Sequence, residues 1–497
     1  MRNRKFIDLD EVRHERLAAF RALNKRRQQA TRDAVSDASL LRTPITRRMV
    51  LRGGLVLGAT FTLPSWIWDT RAKAGYWPNT KFPNNSINVF DYMSPTQISN
   101  VLSRSFSSVT DVSGAINNAV TAAQNNGGAR IYLPAGWYLC SSSINITSSN
   151  VYFMGDGPGS TVMINGTTSS PTLNFAPSTK LGYGGAAKMS FVQSTSVSPT
   201  GGSNGILVTS NMIRTFFEDL DFPNAGTGNI SVNPLYVNME MGGPSLFINR
   251  VIMNTAYHIG LAINPGNDVF ANGIDIYNAG YTTPTGSPPN TQLDSTGVGI
   301  FLNNVIAPHF TGCNVNACAY NGWSMGCDSG KSTHFGSFTD CMSDDNGQAG
   351  SNDGANWLMG GAGTIADLKF VSCWGSTQGG LSGVSPGVTP PGWLIAGSGT
   401  TDIRLTNCTA LNNQGDGFQL NTTYNGYGAP SYITFDNCTA GVGTFGNGQG
   451  ATSGYGYNLA NCSHGQIIGG IASNNLSGQV GNNGGTTPFV VSPTPIS

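Results

Sequence analysis

The sequence predicts an all-β fold, a right-handed parallel β-helix wound as a single-stranded solenoid with about three short strands per coil. Three observations point there. First, a tetrad recurs at spacings of 23 to 39 residues: an apolar residue, a free position, a turn residue, then a Cys or aliphatic residue. Its best copies are Phe310-Thr311-Gly312-Cys313, Phe338-Thr339-Asp340-Cys341, Phe370-Val371-Ser372-Cys373, Leu405-Thr406-Asn407-Cys408 and Phe435-Asp436-Asn437-Cys438. Weaker copies centre on Leu220, Val251, Ile274 and Ile471. Second, most copies follow a Gly-apolar-x-apolar segment, as at Gly322-Trp323-Ser324-Met325 and Gly392-Trp393-Leu394-Ile395. Third, residues 75–497 hold only 10 Lys+Arg and 19 Asp+Glu in 423 positions, amid abundant Gly, Asn, Ser and Thr. Cations this scarce cannot neutralise a nucleic-acid backbone. Apolar residues this frequent exclude a disordered tail.

The N-terminal segment differs in kind. Residues 1–74 carry 16 basic and 7 acidic residues. Thr46-Arg47-Arg48-Met49-Val50-Leu51-Arg52 precedes an apolar run, Gly53 to Trp68, and Ala72-Lys73-Ala74 follows. A basic stretch, a modest apolar run and a small-residue cleavage site make a bacterial export signal, and the paired arginines resemble the twin-arginine class. The run is too short and too rich in Gly, Thr and Pro for a comfortable membrane span. The expectation is a periplasmic or secreted protein, in contact with a membrane only during export. The 46 residues before Arg47 are unusually many for such a signal.

The body, 75–497, is expected to be one solenoid domain. Its strands alternate apolar and polar residues between Gly and Asn turns, so one side chain in two points inward. A single coil cannot bury its inward face; stacked copies share one core. The Asn, Asp or Gly before each Cys suits a left-handed corner. Five of the nine cysteines then occupy one equivalent inward position and form an interior ladder of free thiols. Cys318 and Cys327 are the pair to bridge if any does. Trp323, Trp357 and Trp393 alternate inward and belong to the core, and His258, His309 and His464 read as structural.

Residues 87–166 contain Ile87-Asn88-Val89-Phe90-Asp91-Tyr92, an amphipathic helix over 110–124, then Gly127-Gly128-Ala129-Arg130-Ile131-Tyr132-Leu133-Pro134 and Val151-Tyr152-Phe153-Met154-Gly155-Asp156-Gly157. This order resembles the pectate-lyase-like domain of rhamnogalacturonase-type and tailspike-type β-helix proteins. The resemblance implies that the helix plugs the N-terminal end of the solenoid. Residues 93–102 stand where the family carries a Gly-Asp-Gly-rich turn and read as an insertion. Polygalacturonase blocks are missing; Asp344-Asp345 and Ser463-His464-Gly465 echo two of them without their partner residues.

The resemblance implies action on a polysaccharide, and the expected function is a glycoside hydrolase or polysaccharide lyase. The alternative is a non-catalytic glycan-binding or self-assembling surface protein. Hydrolysis needs two carboxyl groups. The body has only Glu218 and Glu240, so Asp must serve, and the candidates are Asp344, Asp345, Asp353 and Asp328, with His334 or Lys331 moving protons. Loops flanking the Gly-apolar-x-apolar row line the groove in the enzymes resembled, so these groups are expected to converge. Trp374, Tyr424, Tyr427 and Asp416 suit sugar binding. No cofactor or metal is implied: Asp344, Asp345 and Asp353 would be the ligands of a Ca²⁺ ion, but calcium-loop spacing is absent. The net negative body favours a neutral or weakly charged glycan. A row of outward positions, Ala262, Phe301, Ser324, Leu358, Leu394, Gln419 and Asn458, is partly apolar. It reads as an exposed stripe for partner or homo-oligomer (trimer) contact through Phe301, Leu358 and Leu394.

Overall fold

The computed structural model describes residues 85–491 except 106–109, 178–182, 195–203, 210–211, 213, 224–234, 238–244, 257, 281–296, 348–353, 377–389, 422–423, 443–444, 449–453, 460–461, 463 and 482–489. The segment expected to be an export signal, 1–74, lies outside them, and the described residues all belong to the unit Thr80–Ser497.

Each coil contributes three strand positions. The first strands, such as Trp323–Gly326, Trp357–Met359, Trp393–Ala396 and Phe418–Asn421, stack in parallel as a 12-stranded sheet. The second and third strands stack into a 23-stranded sheet, because Ser245–Ala256 and Gly266–Ala279 run unbroken through the corner between them. That corner is where the tetrad sits. Gly312, Asp340, Ser372, Asn407 and Asn437 all have positive φ, between 51° and 59°. Asn and Asp tolerate this region through local hydrogen bonding, and Gly enters it freely. A second left-handed column, Asp268, Ala307, Phe335, Asp367, Asp402 and Tyr432, recurs along the second strand of successive coils and interrupts it only at Phe335.

The thiol ladder forms as expected. Cys313, Cys341, Cys373, Cys408 and Cys438 are buried in single file, each carbonyl accepting the backbone N–H of the residue after the next ladder position, for example Trp374 N to Cys341 O at 2.9 Å. All nine cysteines are buried and unbridged, Cys318 and Cys327 included. Leu220, Val251 and Ile274 occupy the same inward file. Ile471 does not: it points outward beside Thr439, and Gly470 closes the ladder against Cys438.

Two aromatic columns stack inside the core beside its aliphatic residues. Trp323, Trp357 and Trp393 stack at 4.7 Å with planes within 10°. Phe310, Phe338 and Phe370 stack at 5.6 and 4.7 Å, and the two columns meet edge to face. Offset stacking and edge-to-face contact are both favourable for aromatic quadrupoles.

One core element was not expected. Asn346, Asn356, Asn413, Asn447 and Asn475 are buried and joined amide to amide: Asn346 Nδ2 to Asn356 Oδ1 at 2.7 Å, Asn356 Nδ2 to Asn413 Oδ1 at 3.3 Å, Asn413 Nδ2 to Asn447 Oδ1 at 2.9 Å, and Asn447 Nδ2 to Asn475 Oδ1 at 2.8 Å. Asn346 is therefore no part of a solvated turn. The glycine that opens the first strand makes room for this ladder. A Cβ on Gly392 would meet Asn413 Nδ2 at 2.6 Å, and one on Gly417 would meet Asn447 Nδ2 at 2.7 Å.

The N-terminal end is plugged by α2 (Ser113–Asn125), whose Ala115, Ile116, Ala119, Val120 and Ala123 recur at helical spacing and join the core. Residues 93–102, expected as an insertion, fold mostly into α1 (Pro95–Ser103), started by a capping box between Ser94 and Gln97 and ended by left-handed Arg104.

Candidate functional site

The carboxylates expected to converge do not. Asp344 ends the third strand Met342–Asp344 and accepts Ser376 Oγ at 2.7 Å. Asp345 is a left-handed corner residue, φ 55°, whose N–H donates to Ser376 O at 3.2 Å. Asp328, Lys331 and His334 follow the first strand Trp323–Gly326, whereas Asp344 and Asp345 precede the next one. A four-residue strand is about 13 Å long, so these groups lie at opposite edges of the 12-stranded sheet. Asp328 is exposed and accepts Asn303 Nδ2 at 3.2 Å and Asn304 Nδ2 at 2.7 Å. His334 meets the exposed Phe335 ring edge-on at 4.3 Å, and Lys331 lines a shallow polar groove with Thr364 and Ser398. Asp353 lies outside the described residues.

Among the sugar-binding candidates, Trp374 is 41% exposed and outward-facing. Tyr424 opens a short 3-10 turn, Tyr424–Gly426, and the half-buried Tyr427 follows it. Asp416 is buried, not a surface contact: it accepts the N–H of Tyr455 at 2.7 Å and Asn458 Nδ2 at 2.7 Å. Burial raises its carboxyl pKa, and those two donors only partly offset this.

The apolar row also differs from expectation. Phe301, Leu358 and Leu394 are 2%, 1% and 4% exposed and form a separate buried cluster with Ala262, Ile259, Val298 and Ala355. The exposed stripe on which a trimer contact rested is not there.

A different pair of carboxyls emerges on the third-strand face. Side by side along one outward row stand Asp221, Ile252, Asp275, Asn314, Met342, Trp374 and Thr409. The neighbouring outward row carries Asn254, Tyr277, Asn316, Asp344 and Ser376. Alternation dictates this placement. Asp221 sits between inward Leu220 and Phe222, and Asp275 between inward Ile274 and Ile276, all four buried. Asp221 and Asp275 are two rungs apart, about 9.6 Å, with Ile252 between them.

Burial raises the pKa of both carboxyls. For Asp221 nothing offsets the loss of water. For Asp275 the Asn314 side chain favours the ionised form and takes back part of the rise. Asn314 is 8% exposed; its Nδ2 donates to Tyr277 Oη at 3.2 Å, and its Oδ1 is buried without a hydrogen-bond partner. No Lys or Arg stands on either row. The ion pairs Arg250–Glu218, Lys369–Asp367 and Arg404–Asp436 belong instead to the second strands and their corners. Among the described residues no three His, Cys, Asp or Glu side chains gather as metal ligands.

Sequence reasoning found the repeat copies at Leu220 and Ile274 but not the acids inside them. The available signal was an Asp flanked on both sides by inward aliphatic or aromatic residues. That pattern puts a carboxyl on a strand face, where its neighbours desolvate it.

Residues 106–324 match the family model described as rhamnogalacturonase A/epimerase, pectate lyase-like. That segment, less than half of the chain, is similar to this family. No curated protein matches it. Among solved structures, the A-module of mannuronan C-5 epimerase AlgE4 from Azotobacter vinelandii is 14% identical, over 83% of this chain and 100% of that one, with a TM-score of 0.41. The enzymatically active domain of tailspike protein 2 from bacteriophage CBA120 is 11% identical, over 80% and 52%, with a TM-score of 0.40. PfbA, a surface adhesin of Streptococcus pneumoniae, is 10% identical, over 80% and 93%, with a TM-score of 0.37. Both Asp221 and Asp275 lie inside the matched segment.

Proposed function

We propose that this pectate-lyase-like β-helix is an exported glycoside hydrolase that cleaves a neutral or weakly charged polysaccharide, with Asp221 and Asp275 as its acid–base pair. The supporting observation is the pair itself: two carboxyls with burial-raised pKa, two rungs apart, on an outward face without cations. Asp221, with no donor to favour its ionised form, is the general acid. Asp275, supported by Asn314, is the base that activates water. Tyr277 meets sugar hydroxyls, and Trp374 offers a face for stacking. A polyanion would meet only carboxylates on this face, so a neutral chain is favoured. A separation of about 9.6 Å between backbone positions suits inversion, for which carboxyls stand roughly 6.5–9.5 Å apart, better than retention at about 5–5.5 Å.

One observation favours a non-catalytic glycan-binding protein instead: Asp344, Asp345 and Asp328 are all tied into hydrogen bonds. A panel of polysaccharides decides between the two, scored for new reducing ends and for the ultraviolet absorbance of unsaturated uronates. Hydrolysis should appear, with inverted anomeric configuration by NMR. Asp221→Asn and Asp275→Asn should each lower it by about 100-fold or more, while Asp344→Asn keeps it. Full activity in the double variant, or a retained anomer, overturns the assignment.

A further inference from the structure

The second-strand face carries an unrelated set of groups. Phe216, Phe247, Phe270 and His309 stack outside the core at 4.9, 5.3 and 5.2 Å, with planes within 21°. His309 continues this column, so its ring plane is fixed by Phe270. The next residue in register is Ser337, and the one after it is Lys369. His309 Nδ1 lies 2.7 Å from Ser337 Oγ. Burial lowers the pKa of the imidazole, and the Asp268 carboxylate opposes this from the neighbouring strand. Asp268 belongs to the left-handed bulge column, which sets it beside the ring without interrupting the stack. The exposed ring of Phe335, two residues before Ser337, offers an apolar wall.

A neutral, oriented imidazole within hydrogen-bond distance of a half-buried serine is the arrangement of a nucleophile with its base. We propose that Ser337 and His309 hydrolyse short acyl esters, such as O-acetyl groups on a glycan. Ser337 Oγ attacks the acyl carbon and its proton passes to His309 Nδ1. The ester C–O bond breaks, and the departing alcohol takes that proton. Water then attacks the acyl-serine, gives its proton to His309, and the carboxylic acid leaves as Ser337 recovers its hydrogen. Lys369, one rung from Ser337 or about 4.8 Å along the sheet, is the cation nearest in register to the developing oxyanion. Asp268 is a positioning residue that keeps the ring basic. The charged groups around the ring are Asp268 on one side and, beyond Ser337, Lys369, which pairs with Asp367 at 3.6 Å.

The test treats the full chain with a fluorophosphonate and maps the adduct by mass spectrometry, alongside hydrolysis of p-nitrophenyl acetate. One adduct at Ser337 is expected. Ser337→Ala should abolish both adduct and hydrolysis, and His309→Asn should slow both by about 100-fold. Asp268→Asn should move the acid limb of the pH–rate profile to lower pH, which a merely structural role would not do. Asp221→Asn and Asp275→Asn should leave the esterase intact, which separates this site from the glycan-cleaving one. Ser337→Ala removes one hydroxyl from a half-buried position, so folding is preserved. No adduct at Ser337 in the wild-type chain, or hydrolysis unchanged in Ser337→Ala, overturns the proposal, and in that case His309 and Ser337 merely terminate the aromatic column.

Discussion

Replacing Asn413 with Ala tests whether the buried amide ladder holds the coils together. At least three hydrogen bonds disappear: Nδ2 to Asn447 Oδ1 at 2.9 Å, Nδ2 to Gly375 O at 3.3 Å, and Asn356 Nδ2 to Oδ1 at 3.3 Å. Two partners keep something. Asn356 Nδ2 still donates to Ser376 O at 2.7 Å, and Asn447 Oδ1 still accepts the Asn413 backbone N–H at 3.3 Å. At about 1 kcal/mol per bond, with the rest of the site dry, the loss comes to about 2–4 kcal/mol. Guanidinium unfolding followed by the fluorescence of the stacked Trp323, Trp357 and Trp393 reads this directly. Asn407→Gly is the control. It removes the exposed bond from Asn437 Nδ2 at 2.7 Å but suits the left-handed corner, φ 52°, so it should change stability by no more than about 0.5 kcal/mol. If Asn413→Ala costs no more than Asn407→Gly, the ladder contributes nothing and the argument fails.

Two further outcomes follow from burial. Every cysteine is enclosed, and desolvation pushes the Cys318 thiol up to about 12 and Cys327 up to about 11. Ellman's reagent should find no thiol in the native chain at pH 8 and all nine in denaturant; a stoichiometric reaction before unfolding contradicts the packing. Asp221 has its pKa raised above the ordinary carboxyl value of 3.8 by burial alone, so the folded chain favours its protonated form. That contribution is fully present below pH 3.8 and is lost as pH rises through the raised folded pKa. Asp221→Asn should therefore gain in melting temperature over wild type between pH 4 and pH 7, with little difference at pH 3. A gap that does not grow with pH would show that Asp221 is well solvated.

The architecture was legible because it rests on inward positions that repeat. A Cys three residues after a Phe or Leu, with a turn residue before it and five such copies in a row, fits a stacked solenoid and little else. Alternation then assigned the tryptophans correctly. The amide ladder was hidden by chemistry. Asn is also a common turn residue, and Asn346 stands in Asp344-Asp345-Asn346-Gly347, which reads as a surface turn. Its position five residues after Cys341, repeated by Asn413 after Cys408, was the clue. The expected convergence of carboxylates differs from the structure for a related reason. Clustering along the chain drew attention to Asp344 and Asp345, whereas stacking brings together residues such as Asp221 and Asp275, which are 54 positions apart.

The segments between third and first strands differ greatly in length: 317–322, 345–356, 377–392, 412–417 and 441–454. The tetrad corner, by contrast, has the same length in every best copy. One junction can thus gain or shed residues while the rungs above and below keep their alignment. Variants of this protein could be given new fringes along that border without disturbing the groups fixed on the flat of the sheet, so rim and face can be altered separately.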